Sequence, residues 1–121
     1  MSQAILRAFY ALAVLALSAC SSAPSPQERI ETTERAAMAP LKARYASVIM
    51  GFDFQGNTVN ISIDPNAALD LDDDQEKAMR DQSLRDWHDA WLRAHPNEHA
   101  QLTVRIIDFR GTQYWKGTTK A

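Results

Sequence analysis

Cysteine is almost absent from this sequence: Cys20 is the only one among 121 residues. A single cysteine excludes an intramolecular disulfide. Small secreted domains often rely on such crosslinks when their hydrophobic core is modest. We therefore expect any folded part of this chain to be held together by side-chain packing alone.

The chain also lacks a large excess of positive or negative charge. The chain has 13 Lys and Arg against 15 Asp and Glu, for a formal net charge of -2. Basic and acidic residues are interspersed, without the concentrated basic stripe that binds phosphate backbones. This pattern argues against nucleic acid as a partner. The sequence also lacks a G-x-S-x-G nucleophile elbow and a phosphate-binding loop.

The N-terminus lacks a hydrophobic run long enough to span a bilayer, which takes about 20 apolar residues. Residues 1–19 instead contain one positive charge, Arg7, then a short apolar run, then the small residues Ser18 and Ala19. This order is typical of a secretory signal peptide. We predict that residues 1–19 are such a segment.

The sequence Leu17, Ser18, Ala19 and Cys20 resembles the lipobox of bacterial lipoproteins. The resemblance implies that diacylglycerol is attached to the Cys20 sulfur, that the bond before Cys20 is cleaved, and that the new amino group is acylated, commonly with palmitate. No other cofactor is implied. The folded part is also similar to small proteobacterial lipoproteins, a likeness that implies no site residue.

Residues 20–26 are small, polar and proline-spaced, which predicts a lipidated, flexible tether. Ser21 follows the lipidated cysteine, where an aspartate would favour retention in the inner membrane by enterobacterial sorting rules. The resemblance therefore implies an outer-membrane location, with the domain facing the periplasm. Residues 27–40 are charged and fit either a short helix or an extension of this linker, ended by Pro40. Residues 41–121 are expected to form a single domain.

A first β-hairpin is predicted around Gly56 and Asn57, because residues 47–55 and 58–64 flank this turn signal. Closing the turn there gives one apolar and one polar face, as a half-covered antiparallel pair requires. The predicted pairs are Phe54 with Val59, Phe52 with Ile61, Met50 with Ile63, Asp53 with Asn60, and Gly51 with Ser62.

A long helix is predicted for residues 73–94. Asp73 and Glu76 have the spacing of a capping box, and His95 with Pro96 ends the pattern. Apolar residues recur at helical spacing along one side. These are Met79, Leu84, Trp87, Ala90, Trp91 and Ala94.

A second hairpin is predicted from residues 101–110 and 113–118, closed by Gly111 and Thr112. Its pattern is irregular, because Ile107 and Phe109 fall on the opposite face from the preceding apolar residues, and Tyr114 joins them. Either a bulge near Ile106 and Ile107 switches the face, or something covers the second face. The predicted fold is α+β, with the order β-β-α-β-β: a four-stranded antiparallel sheet and one long helix packed on one face.

Two groups of residues have spacings that suggest metal sites. Asp70, Asp72 and Asp74 have one-three-five calcium-loop spacing, but the glycine and the glutamate of that loop are missing. We favour an acidic helix start. Three histidines later in the chain are spaced more widely in sequence than zinc ligands usually are. They are His88, His95 and His99. No metal site is predicted from either group.

Two further sets of residues suggest catalysis or ligand binding. Asp53 and Asp108 occupy matching turn positions, but aspartate beside a tight turn is common without catalysis. Trp87, Trp91 and Trp115 suggest either a stacking platform or core packing, and the helical stripe favours the core. No catalytic residue is predicted.

Contact with another protein is the function that the sequence favours. Ile107, Phe109 and Tyr114 are the candidate partner-binding residues, since exposed apolar patches usually mark interfaces. The expected protein is non-catalytic, lipid-anchored in the outer membrane, and bound to another envelope protein. The alternatives left open are an inhibitor or ligand-binding module, including a surface-displayed one, and a hydrolase acting on the envelope.

Overall fold

A computed structural model describes residues 23–121 of the chain. The predicted signal peptide, the lipobox with Cys20, and the start of the tether lie outside these residues. The elements follow the order α-β-β-α-α-β-β. They are α1 (Pro26–Arg44), β1 (Ile49–Gln55), β2 (Thr58–Ile63), α2 (Pro65–Ala68), α3 (Asp73–Ala94), β3 (Gln101–Ile107) and β4 (Gln113–Lys120).

Helix α1 begins earlier and ends later than the sequence predicts. Ser25 caps it by accepting a hydrogen bond from the backbone N–H of Glu28, and Pro26 occupies the first turn. Residues 25 and 26 therefore belong to a helix start rather than to the tether. The undecided stretch 27–40 is helical.

Pro40 does not end α1, which corrects the prediction. The helix continues to Arg44 with Pro40 inside it. A proline removes one backbone hydrogen bond, here to the carbonyl of Ala36. Both residues lie on the exposed side of the helix, where water can satisfy that carbonyl. On the buried side, Met38 and Leu41 are fully covered, and their packing holds the helix together across the proline.

The first hairpin is confirmed in its turn and in most of its register. Gly56 has a φ of 58°, which suits glycine in a two-residue turn. Four of the five predicted pairs form. The pairing of Met50 with Ile63 is wrong, because Ile49 lies opposite Ile63 and a bulge interrupts the ladder between Ile49 and Gly51. As a result Met50 turns to solvent, with 63% of its surface exposed.

Helix α3 spans the predicted residues, Asp73–Ala94. Its cap lies one residue earlier than predicted: the Asp72 carboxylate accepts from the Gln75 N–H at 2.7 Å, and the Gln75 side chain accepts from the Asp72 N–H at 2.9 Å. This is a reciprocal capping box. The buried stripe on α3 is Met79, Ser83, Trp87, Ala90 and Trp91.

The first strand of the second hairpin is shorter than predicted. Strand β3 ends at Ile107, and residues 108–112 form a loop in place of a two-residue turn. The register shifts between Ile106 and Ile107, so the bulge considered from the sequence is present. It does not return Phe109 to the covered face, because Phe109 lies in the loop and is 75% exposed.

The sheet is mixed, not antiparallel as predicted. Its order is β1-β2-β3-β4, with antiparallel outer pairs and a parallel central pair, in which Ile61 lies opposite Ile106. The physical reason is the connection: α3 carries the chain back to the end of the sheet where β2 began, and strands joined by such a crossover run parallel. The predicted α+β class is correct. The prediction of one long helix is wrong, because α1 and α3 are both long.

The core lies between one face of the sheet and the pair α1 and α3, which pack against each other. Strand β3 shows the two faces clearly, since Leu102, Val104 and Ile106 are buried while the residues between them are more exposed. The Trp87 indole N–H donates to the carbonyl of Asn57 at 3.0 Å, which ties α3 to the first turn. Within residues 23–121, no helix has the length and apolar character needed to cross a bilayer.

Candidate partner-binding cleft

An apolar cleft of about 190 Å³ lies where β2 ends, α3 begins and β4 begins. We call it the Trp115 cleft. Its apolar lining comes from distant parts of the chain: Ile63, Pro65, Ala68, Leu69, Leu71, Met79, Ile106, Tyr114 and Trp115. Its charged lining residues are Glu76 and Arg80, whose side chains lie 3.6 Å apart (Oε2 to Nη2).

The bulge in the second hairpin supplies two of the aromatic lining residues. Trp115 pairs with Ile106 and Gln113 pairs with Ile107, which leaves Tyr114 as the extra residue of β4. An extra residue suspends the alternation of side chains between the two faces. Tyr114 and Trp115, although adjacent in sequence, therefore line the same cleft.

The position of Trp115 depends on Gly117, two residues later on the same face of β4. A Cβ atom at Gly117 would overlap the Trp115 indole ring. The glycine thus lets the indole lie flat along the strand. The Arg80 guanidinium lies 5.8 Å from the ring centroid, a cation–π distance. Trp115 thus contacts both the β4 backbone at Gly117 and Arg80, and forms a half-buried wall of the cleft.

Tyr114 is held by the loop that precedes it. Its hydroxyl donates to Asp108 Oδ2 at 2.9 Å, while Asp108 Oδ1 accepts the backbone N–H groups of Arg110 and Thr112. Burial alone would raise the pKa of Asp108, but these hydrogen bonds outweigh it and lower the pKa. The same bond to Asp108 raises the pKa of Tyr114. Asp108 therefore stays ionised and fixes both the loop and the tyrosine.

Three large apolar side chains near this end of the sheet are exposed. Leu69 is 82% exposed and Tyr114 is 50% exposed, and both line the cleft. Phe109 belongs to the loop that Asp108 ties to Tyr114, and the Arg110 guanidinium lies 5.3 Å from its ring centroid. Leu69 and Tyr114 thus expose apolar surface at the cleft, and Phe109 exposes more in the loop at the same end of the sheet.

The structure separates the three partner-binding candidates of the sequence. Tyr114 lines the cleft and Phe109 lies in the loop before it, whereas Ile107 is half-buried on the sheet face away from the helices, opposite Gln113 and Ser62. Sequence reasoning missed Leu69, although one signal was available. It is an apolar residue between two helices, off the apolar stripe of α3 and followed by acidic residues.

The uncovered face of the sheet is polar and crossed by a chain of hydrogen bonds. Asn60 Nδ2 donates to Asp53 at 3.5 Å, Arg105 donates to Asn60 Oδ1 at 3.3 Å, and Arg105 Nε donates to Gln113 at 2.9 Å. These contacts link all four strands. Asp53 is engaged in this chain while Asp108 is engaged in its own loop, so the structure does not join the two as a carboxylate pair.

The metal candidates of the sequence have other roles. Asp72 is the cap of α3, and the backbone carbonyls of Trp91 and Ala121 face the Nδ1 atoms of His95 and His99. His88 lies beside Asp89. Residues 23–121 contain no group of three or more His, Cys, Asp or Glu side chains placed to hold a metal ion.

The tryptophans divide between core and surface. Trp87 and Trp91 are buried in α3, where Trp87 stacks on Phe54 with ring centroids 5.7 Å apart. The core interpretation is confirmed for these two. Trp115 belongs to the cleft. The chain matches no protein-family model, no curated protein and no solved structure.

Proposed function

We propose that this chain is a lipid-anchored, non-catalytic envelope protein whose Trp115 cleft binds another periplasmic or outer-membrane protein. The observation that carries the proposal is the pair of exposed apolar side chains in the cleft lining, Leu69 and Tyr114, with exposed Phe109 in the loop that precedes Tyr114. Soluble proteins seldom leave such side chains clustered in water unless the surface contacts a partner. Aromatic side chains, together with arginines such as Arg80 and Arg110, are enriched in protein interfaces.

The chemistry of the cleft supports binding rather than catalysis. Its charged groups, Glu76 and Arg80, face each other, and the remaining lining is mostly apolar. A volume of about 190 Å³ is also below the roughly 300–1,000 Å³ of typical small-molecule sites. It fits one or two side chains of a partner. The lipid anchor rests on Cys20 and its lipobox, from which we propose attachment to the outer membrane, facing the periplasm.

Photo-crosslinking in intact cells tests this function. A photoreactive amino acid at position 114 is expected to capture a distinct envelope protein, while the same group at Ala36, on the exposed side of α1, is not. Identical adducts from both positions, or none from position 114, would contradict the proposal.

Alanine substitutions separate binding from folding at the same surface. Phe109→Ala and Leu69→Ala are expected to weaken the adduct from position 114 while leaving the free energy of unfolding within about 0.5 kcal/mol, because both side chains are exposed. Buried Phe→Ala changes cost about 3–5 kcal/mol. A loss of that size would place Phe109 in the core and not in an interface.

A further inference from the structure

Strand β4 is an edge of the sheet, and one hydrogen bond fixes which of its backbone groups point outward. The Ala121 N–H donates to the Ala100 carbonyl at 2.9 Å, directly beyond the paired residues Gln101 and Lys120. In an antiparallel ladder, hydrogen-bonded and non-hydrogen-bonded pairs alternate. The hydrogen-bonded pairs of this hairpin are therefore Leu102 with Thr119, Val104 with Gly117, and Ile106 with Trp115.

The backbone N–H and C=O groups of the alternate residues point away from β3. These residues are Lys116, Thr118 and Lys120, and no other strand lies beyond β4 among residues 23–121. Their backbone groups have no hydrogen-bond partner within that range. An extended peptide that pairs with an edge strand needs outward backbone donors and acceptors at every second residue. These three residues supply them.

The two edges of the sheet differ in this respect. Strand β1 carries a bulge at Met50, and bulges disrupt edge pairing. Strand β4 is regular from Trp115 to Lys120, opposite an unbroken stretch of β3. Two hollows lie along β4 on the side of the sheet that faces α3. The Trp115 cleft lies at one end of β4, and a second hollow with Leu84 and Arg85 lies beside Thr119 and Lys120 at the other.

We propose that β4 binds an extended segment of a partner protein as a fifth strand, with an apolar side chain of that segment in the Trp115 cleft. The inference rests on the proposed function in taking the partner to be a protein, and adds how it is recognised. Backbone pairing along β4 supplies affinity, and the cleft selects the side chain that enters it.

Charge favours an acidic segment over a second copy of this chain. Lys116 and Lys120 are exposed on β4, while Arg85 and Asp89 in the hollow beside Lys120 offset each other in charge. In a symmetric antiparallel pair of β4 strands centred on Thr118, Lys116 of each copy would face Lys120 of the other. Like charges directly opposite each other destabilise a strand pair. Aspartate or glutamate in the partner segment would instead pair with these lysines.

Selection from a phage-displayed library of short random peptides against the full-length chain in mild detergent tests the proposal. The peptides expected carry an apolar residue flanked by Asp or Glu. On binding, they should slow hydrogen exchange at the amides of Lys116, Thr118 and Lys120. The amides of Gly117 and Thr119, already bonded to β3, should be protected in the free chain too.

A matched pair of variants tests the backbone contact directly. Thr118→Pro removes the outward N–H, which an edge strand tolerates, whereas Thr118→Ala keeps it. Loss of one backbone hydrogen bond is expected to weaken peptide binding about tenfold in the proline variant relative to the alanine variant. If the proline variant does not fold, the exchange pattern of the unaltered chain decides alone.

The outcomes separate this inference from the proposed function. An adduct from position 114 without added protection at Lys116, Thr118 and Lys120 would overturn edge pairing and leave the function standing. No selected peptide, equal binding by both Thr118 variants, or protection of these amides in the free chain through dimerisation or its own N-terminal segment would also overturn edge pairing. Absence of any adduct would remove the function itself.

Discussion

Trp115 owes its place in the cleft to the missing side chain at Gly117. Larger residues at position 117 would occupy the volume of the indole ring. The tryptophan would then leave the strand, and its cation–π contact with Arg80 would be lost. A glycine that weakens a strand locally thus positions the largest side chain of the candidate site.

Gly117→Ala is therefore expected to lower stability by about 1–3 kcal/mol, the usual cost of overpacking. It should also shift the tryptophan fluorescence and weaken capture of a partner from position 114. Urea unfolding and the crosslinking assay measure these effects. Gly51→Ala is the matched control, because a Cβ there meets no atom within 4 Å. If Gly117→Ala and Gly51→Ala behave alike, the account of Trp115 is wrong.

Glu34 is a charged residue in an unfavourable place. It lies on the buried side of α1, only 2% exposed, and its Oε2 has no hydrogen-bond partner among the described residues. Desolvation, with a smaller contribution from the charge of Glu31, raises the pKa of Glu34 from 4.5 to about 7. Helical spacing places Glu34 on this side, because it lies four residues from both Ile30 and Met38.

The raised pKa predicts how stability depends on pH. Between pH 4.5 and about 7 the folded chain holds a proton on Glu34 that the unfolded chain has released, so stability falls as the pH rises through this window. The contribution is complete below pH 4.5 and lost above about 7. Glu34→Gln should flatten this slope and raise stability above pH 7 by about 1–3 kcal/mol.

Chemical denaturation at a series of pH values measures this effect. Glu98→Gln, at an exposed position outside the helices, is the control and should keep the slope of the unaltered chain. A Glu34→Gln variant with an unchanged pH profile would show that Glu34 is solvated in solution.

At the scale of elements, α1 shows how packing overrides a local breaker. Its polar composition and Pro40 point to a weak helix, yet it extends over 19 residues because one side packs on α3 and β1. The local sequence of α1 does not reveal the surfaces of α3 and β1 on which the helix packs. The prediction of a helix ending at Pro40 failed for this reason.

Replacing Pro40 is expected to stabilise the protein. Pro40→Ala restores the hydrogen bond to Ala36 and removes a cost of about 3 kcal/mol, offset by about 1 kcal/mol because proline restrains the unfolded chain. A net gain of about 2 kcal/mol in urea unfolding follows. Ala39→Gly, next to it, should instead lose about 1 kcal/mol. A less stable Pro40→Ala variant would mean that the proline kink is needed for packing.

The elements that the sequence predicted well are those with strong local signals. Helix α3 has a long apolar stripe and a clear stop at His95, and the first turn has Gly56 beside Asn57. The bulges at Met50 and Tyr114 were harder to place, because each shifts the register by one residue, which alternation alone does not reveal. The five-residue loop after Ile107 shifts the predicted pairing of the second hairpin further.

At the scale of the whole molecule, the sheet order and the cleft depend on contacts between distant residues. The parallel central pair follows from the helical crossover between β2 and β3, a connection that the antiparallel prediction did not weigh. The Trp115 cleft combines residues from α2, α3 and three strands. Tyr114 is a candidate from the sequence because it breaks a pattern, whereas Arg80 joins the cleft only through the fold.

Membrane attachment is the whole-molecule property that the lipobox predicts. Cys20→Ser should abolish labelling of the chain with radioactive palmitate and leave it uncleaved, because the thiol is the group that is alkylated. Fractionation and labelling in growing cells measure both effects. Cleaved, membrane-bound and labelled protein from the Cys20→Ser variant would contradict lipid anchoring.

The parallel seam between β2 and β3 has a consequence for how the chain folds. Each hairpin forms between neighbours in sequence, but Asn60 meets Arg105, 45 residues later, only after the segment containing α3 has closed the loop. Closing so long a loop costs chain entropy before any contact compensates for it, which slows folding. We therefore expect closure of this seam to limit the folding rate. Until β3 has been synthesised, Val59 and Ile61 of the first hairpin lack the neighbouring strand that extends their apolar face. Chaperone binding would protect the chain during this period.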